Sequence, residues 1–381
     1  MSTSKSKHLR IGIDAKWFFE GPVSNQIVVC SLVENLIHEN PGHTLYIFLN
    51  ARHKSRTFPF QSERVRLVYV WAGNNMISNA LFLPVLGIRL GIDVIIYQNF
   101  TGLFGPTKWT YIHDVIFLSH PQFFTIPERL YFNLMPILSR FADVIIAISA
   151  AERDRMKKYG LGKKCPIHVV HHAVSKQFVP REQISDEVLE RVNAKYQLPP
   201  RFLLFVGRLN LRKNIGGLLK ALSLTKNSSI QLVIVGEKDW KADPSIAPYA
   251  KEWNGTKRVS FLGKVPFYDL TVIYARATVF CFPSFAEGFG LPVLEAMQAG
   301  TPVLTTRNSA MEEVCEEAGT YIEPEDYEAI AEAIDTFWED DATWIRQRAK
   351  GILRAADFSW SKSVRTLYRL LEEKAREHDL Q

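Results

Sequence analysis

Two glutamates, Glu287 and Glu295, mark the stretch of this chain with the most chemical promise, CFPSFAEGFGLPVLEAMQAG from Cys281 to Gly300. Residues 277–282 are apolar and read as a buried strand, residues 283–291 carry Gly288 and Gly290 and read as a turn, and Pro292 suits the first position of a helix. Strand, glycine loop and helix in that order bring bare backbone N–H groups and the positive end of a helix dipole to one point, where an anion belongs. Glu287 stands ahead of that point and Glu295 beside it on the helix. The same residues also suit a plain capped helix start, because carboxylates in a first turn favour the dipole.

A second set of groups follows the apolar run 202–206, in GRLNLRKNIGGLLKAL. Gly207 allows a tight turn, while Arg208 and Lys213 project positive charge at a strand-to-helix junction. Such side chains suit a diphosphate, each charge-assisted hydrogen bond being worth about 1.5–3 kcal/mol. Arg212, next to Lys213, is expected to point away. A third set comes from KWTYIHD, a strand over 108–113 that delivers His113 and Asp114 to the following loop. Functional groups collect at the carboxyl ends of strands in open α/β sheets, which raises His113 above His120.

Positioning these groups takes two α/β halves. A chain of 381 residues exceeds the size at which one core keeps growing. Strands are expected over 9–14, 43–49, 65–70, 94–98, 108–113 and 143–149, with 167–172 ending the first domain, then over 202–206, 232–235, 259–262, 277–282 and 301–305. Apolar residues recur at helical spacing over 26–40. Segment 76–90 reads as a helix facing the core, with a membrane-contacting patch as the alternative, and residues 129–141 as another helix. Residues 150–159 read as a helix whose charges, Glu152 among them, face solvent. The acidic segment 326–341 reads as a solvated face. The boundaries drawn are 1–178 for the first domain, 179–200 for a linker, 201–357 for the second domain, and 358–381 for a terminal amphipathic segment.

The string AEGFGLPVLEAMQAGTPVL, with YIHDVIFLSHPQFF and GRLNLRKNI, resembles the retaining GT-B glycosyltransferases of family 4, and within them bacterial mannosyltransferases that build surface polysaccharide. The resemblance implies an α/β fold of two facing Rossmann-like domains with a cleft between them, the terminal helix crossing back onto the first. It places Glu287 on the hydroxyls of a donor sugar, Glu295 on the ribose, and Arg208 and Lys213 on the diphosphate. His113 would lie against the sugar, so Glu287 and His113 are the catalytic candidates. The loop Gly288, Phe289, Gly290 and Leu291, with Gly207 and Val265, would complete the donor site, Gly263 to Val265 meeting the base through backbone. Gly21 and Asn25 belong to the loop that would approach the diphosphate, with Asn25 where a second small residue is usual. The donor is implied to be a nucleotide-diphosphate sugar, with GDP-mannose favoured, and the acceptor a glycan or a lipid-linked chain.

Composition narrows the remaining classes. With 47% hydrophobic and 23% charged residues the chain is an ordinary globular one. The N-terminal MSTSKSKHLR lacks the apolar core of a signal peptide, and no uninterrupted apolar run reaches about 18 residues, so a soluble, cytoplasmic protein is expected. Four scattered cysteines imply neither a disulfide framework nor a zinc site. No D-x-D motif occurs near a strand end, so no metal and no cofactor beyond the donor are expected. Residues 1–180 hold 20 Lys and Arg against 11 Asp and Glu, so this half is expected to meet an anionic surface, for which an inner-membrane lipid face suits better than nucleic acid. Arg52, Lys54, Arg56, Arg64 and Arg66 are the candidates. Neither half opens with G-x-G-x-x-G, which disfavours a nicotinamide oxidoreductase. A sugar-nucleotide epimerase and a non-catalytic nucleotide-sugar sensor remain the alternatives.

Overall fold

The computed structural model describes residues 8–71, 73–236, 258–307 and 310–379, so most of the N-terminal tail lies outside the described residues. The chain divides into two compact units, Met1–His172 with Ser359–Gln381, and Ala173–Phe358.

In the first unit β1 (Arg10–Asp14), β2 (Thr44–Asn50), β3 (Val65–Val70), β4 (Val94–Gln98), β5 (Thr107–Ile112), β6 (Val144–Ala147) and β7 (Ile167–Val169) form one parallel sheet in the order β3-β2-β1-β4-β5-β6-β7. The central strands are near-continuous apolar runs, VIIYQ and VIIA, as both faces are covered; β3, at the edge, is half exposed. Tyr46, Phe48, Leu83, Ile95 and Tyr97 pack together in one cluster, Ile112, Phe117, Met135, Ile145 and Met156 in another. Each such side chain contributes about 1.5–3 kcal/mol. The order reverses between β1 and β4, so the loops after these strands open a crevice at the sheet's carboxyl edge, where Asp14, Gln98 and His113 stand.

The helix Trp360–Asp379 closes the unit. Its stripe of Val364, Leu367, Tyr368 and Leu371 is buried, Tyr368 Oη donates to Leu36 O at 2.6 Å, and Arg365 Nε to Glu39 Oε2 at 2.7 Å.

Two segments of this unit depart from expectation. Residues 76–90 are helical but broken, with a π-turn over Ser78–Phe82 ahead of the helix Leu83–Arg89. Pro84 has no N–H for the carbonyl of Ala80, which accepts from Leu103 N at 3.1 Å instead. Only one side faces the core: Leu83 and Gly87 are buried, while Leu81, Phe82, Val85 and Ile88 are exposed. Residues 129–141 are two short helices, Ile126–Phe132 behind a Thr125–Glu128 capping box and Leu134–Leu138, followed by a 3-10 turn.

The second unit repeats the plan with β8 (Leu203–Val206), β9 (Leu232–Val235), β10 (Val259–Gly263), β11 (Val279–Phe282), β12 (Val303–Thr306) and β13 (Gly319–Ile322), parallel in the order β10-β9-β8-β11-β12-β13. The edge strand β13 was not anticipated. Residues 179–200, read as a linker, belong to this unit. Their helix Asp186–Tyr196 buries Leu189 and Val192, and Lys195 and Tyr196 hold Asp269 at 2.6 and 2.8 Å. The backbones of Gly207 and Gly236 touch: a Cβ at Gly236 would lie 1.9 Å from Gly207 O, so the position just after β9 admits no side chain.

Candidate functional site

In the second unit the loop after β11 is stitched to the loop after β8. Phe285 N donates to Arg212 O at 2.9 Å, with Ser284 Oγ 3.0 Å from the same carbonyl, and Arg212 Nη1 donates to Ala286 O at 2.5 Å. The turn ends at Gly290, whose φ of +98° starts the helix Leu291–Gln298 and whose missing Cβ leaves room for Met311 and Val293 at 3.1 Å. Gly288 and Phe289 are buried in this loop, the Phe289 ring edge-on to Phe358.

Glu287 is at the centre. Its Oε1 accepts from Lys213 Nζ at 2.6 Å and from Ser284 Oγ at 2.5 Å, and its Oε2 lies 3.0 Å from Arg212 Nη1. Burial alone would raise the Glu287 pKa, but Arg212 and Lys213 outweigh it and bring it down to about 2. The carboxylate is therefore ionised, and two cations on one anion leave the cluster with a net positive charge. The Lys213 ammonium also sits 4.6 Å from the centre of the Phe282 ring.

Arg212 was expected to point away, and it does not. Leu211–Lys213 form a single 3-10 turn, N-capped by Asn210 and closed by Asn214 in the left-handed region at φ +55°, and this winding sends two successive side chains to the same carboxylate. Arg208 lies exposed in the loop just after Gly207.

Glu295 is set in the helix Leu291–Gln298, where its Oε2 accepts from Tyr274 Oη at 2.7 Å. Burial raises its pKa to about 7, opposed only in part by that hydrogen bond. The pKa values of the two glutamates of one motif are thus shifted in opposite directions. Leu291 opens the helix half-buried, and Val265 is half-buried in the loop after β10, two residues beyond Gly263.

The first unit holds a second polar cluster at the carboxyl edge of its sheet. Lys16 Nζ donates to Asp14 Oδ1 and to Asn79 Oδ1, both at 2.5 Å, and Asn79 Nδ2 donates to Asp14 Oδ2 at 2.9 Å and to Gln98 O at 3.1 Å. Gln98 Oε1 meets His113 Nε2 at 2.8 Å. Burial lowers the His113 pKa to about 4, against the pull of Asp14. Its loop is clamped twice more, His113 N donating to Asn99 Oδ1 at 3.1 Å and Val115 N to Glu152 Oε1 at 2.5 Å. Glu152, expected to face solvent, is fully buried: Arg155 pairs with it, and burial raises its pKa to about 8. Gly21 precedes the helix Val23–His38 at φ +143°, packed on Trp17, and Asn25 is half-buried in that helix's first turn.

Asp14, Lys16, Asn79, Gln98, Ser284 and Tyr274 were missed. The rule that singled out His113 applied equally to Asp14 and Gln98, which end β1 and β4. Among the described residues, no three His, Cys, Asp or Glu side chains are grouped to hold a metal ion.

The profile described as glycosyltransferase family 4 matches residues 26–178, which include Asn79, Gln98 and His113, and that of glycosyl transferases group 1 matches residues 189–354, which include Lys213, Glu287 and Glu295. The chain belongs to glycosyltransferase family 4. This family 4 chain is 37% identical to the Escherichia coli O-antigen chain mannosyltransferase B over 194 residues, 49% of each protein. It spans no more than half the length of the first curated relatives it matches. Its fold is that of GT-B enzymes: sucrose-phosphate synthase from Thermosynechococcus elongatus superimposes with a TM-score of 0.76 at 20% identity, over 97% of this chain and 100% of that one. The Anabaena protein HepE in complex with UDP-glucose superimposes at 0.72 and 16% identity, over 96% and 100%.

Proposed function

We propose that this family 4 chain is a retaining, metal-independent hexosyltransferase of cell-surface polysaccharide synthesis. It takes a nucleotide-diphosphate sugar, with mannose from GDP-mannose as the favoured donor, and transfers the sugar to a hydroxyl of a glycan or lipid-linked acceptor. The observation that carries this reading is the net positive cluster of Arg212, Lys213 and ionised Glu287 at the glycine loop that opens the helix Leu291–Gln298. Such a cluster attracts a diphosphate while keeping a carboxylate acceptor for sugar hydroxyls. The likeness to a mannosyltransferase of O-antigen chains supports the choice of mannose.

In the reaction proposed, the bond from sugar C1 to the diphosphate oxygen breaks and the acceptor oxygen bonds to C1 on the same face. The acceptor's proton passes to the departing phosphate oxygen. Lys213 and Arg208, with the helix amides, stabilise the charge gathering on that phosphate, the work a metal ion does elsewhere. Glu295 receives the ribose hydroxyls and His113 meets the sugar.

The acceptor side is inferred to lie against an anionic inner-membrane face, since Arg52, Lys54, Arg56, Arg64 and Arg66 are all exposed and the segment before Leu90 presents apolar side chains to solvent. No helix among the described residues is long and apolar enough to cross a membrane.

Incubation with a panel of mass-tagged nucleotide sugars tests the donor. Slow release of mannose from GDP-mannose, faster than from UDP-glucose or UDP-galactose, is expected; release from UDP-hexoses alone overturns the mannose assignment.

A further inference from the structure

His113 is held by its ring as well as by its backbone. Gln98 ends β4 and stands in register with Tyr111 of β5, two residues before His113, so the two side chains meet on one face of the sheet. Gln98 is 2% exposed, and its Oε1 lies 2.8 Å from His113 Nε2. Among the described residues Nδ1 of the same ring has no hydrogen-bond partner, so one nitrogen is gripped and the other is left for a ligand.

The groups around the ring are sorted by charge. Asp14, the one carboxylate drawn towards it, is already neutralised by Lys16. The aromatic rings packed near it among the described residues are uncharged, with centres at 5.5 Å for His172, 6.1 Å for Trp17 and 6.5 Å for Tyr111, and burial keeps His172 neutral as well. Apart from the paired Asp14, none of these groups carries a charge that favours an imidazolium. An amide carbonyl, unlike a carboxylate, takes a proton in a hydrogen bond without favouring the cation.

We propose that Gln98 is a positioning residue for His113: its amide oxygen takes the Nε2 proton, fixes the neutral Nε2–H tautomer, and leaves Nδ1 as an acceptor for a hydroxyl of the donor sugar. The last step rests on the donor-site reading above; the tautomer does not. Gln98 thus decides which ring nitrogen is basic, and the buried network of Asp14, Lys16 and Asn79 behind it holds the strand end that carries it.

The test is side-chain ¹⁵N–¹H NMR of the full chain labelled at its ten histidines, with the His113 signal assigned by its loss in His113→Gln. At pH 7 His113 is expected as neutral Nε2–H and does not charge until well below pH 6. In Gln98→Glu the new side chain either ionises and holds an imidazolium, moving the titration up by roughly 1–3 pH units, or stays protonated and donates to Nε2, switching the tautomer. Both outcomes support the assignment. A wild-type Nδ1–H tautomer, a charged ring at pH 7, or an unchanged ring in Gln98→Glu overturns it. The wild-type spectrum decides even if the variant does not fold. Turnover is read separately in Gln98→Leu, where a fall in kcat with nucleotide-diphosphate affinity kept is expected; unchanged turnover beside the expected tautomer counts against the sugar contact and leaves the tautomer assignment standing.

Discussion

Glu287 and Lys213, separated by 74 residues of chain, share a hydrogen bond of 2.6 Å, so the residue expected at the sugar and the residue expected at the diphosphate are one electrostatic unit. A change at either alters the other's charge environment. Lys213→Met keeps an unbranched side chain of similar length and removes the cation that sits over Phe282. It is expected to weaken nucleotide-diphosphate binding by roughly 10- to 100-fold, the value of one charge-assisted hydrogen bond. Glu287→Gln frees Lys213 from its carboxylate, so it should keep or improve that affinity while turnover falls at least roughly 100-fold. Calorimetric titration beside turnover checks both, and an equal loss of affinity in the two variants contradicts the division of roles.

The same pair makes acid stability testable. The folded pKa of Glu287, about 2, lies below the usual 4.5, so its contribution to stability is fully present above pH 4.5 and is lost as pH falls towards 2. Glu287→Gln should be less stable than the parent at pH 7, because it takes the Glu287 charge away from buried Lys213 and half-buried Arg212, a loss of about 3–5 kcal/mol by analogy with broken buried pairs. The difference should shrink between pH 4.5 and 3. Urea titrations across that range measure it, and a constant gap refutes the assigned ionisation.

Glu295 behaves in the opposite sense. Its folded pKa of about 7 is raised above 4.5, so the folded state holds a proton that the unfolded chain releases, and its burial costs stability increasingly as pH rises from 4.5 to 7. If ribose hydroxyls donate to this group, nucleotide affinity should rise several-fold between pH 6 and 8, because a carboxylate accepts more strongly than a carboxylic acid. In Glu295→Gln the rise should vanish. A pH-independent affinity in the parent protein contradicts the ribose role.

Membrane association would rest on the positive charge of residues 1–180 and on the apolar segment 76–90. Phe82 is 42% and Ile88 60% exposed, which removes the simple alternative that segment 76–90 is wholly buried. Anionic lipid attracts nearby Lys and Arg by about 1 kcal/mol each within a Debye length of about 8 Å. Sedimentation with phosphatidylglycerol vesicles at low salt should pellet the protein, raised salt should release most of it, and Ile88→Ser should weaken binding. No pelleting at low salt refutes the association.

The sequence alone determined the parallel architecture and most strands, because runs such as VIIA and LLFV are apolar throughout and are bounded by turn residues. It also determined that Glu287 and Glu295 flank a helix start, since glycine and proline positions dictate backbone whatever surrounds them. Tertiary structure decided the rest. Arg212 and Lys213 are adjacent cations in one string, and only the 3-10 turn closed by Asn214 brings both to Glu287. Glu152 sits in AERDRMKK, a pattern that looks solvated, yet the loop after β5 needs an acceptor for Val115 N, and that need arises 37 residues away. Asp14, Lys16, Asn79 and Gln98 lie on separate elements and became a network only when β1 and β4 paired. Periodicity and turn chemistry act over a few residues and are written locally. Ionisation and hydrogen-bond partnership depend on burial and on groups distant in the chain, so they emerge only when the sheets assemble.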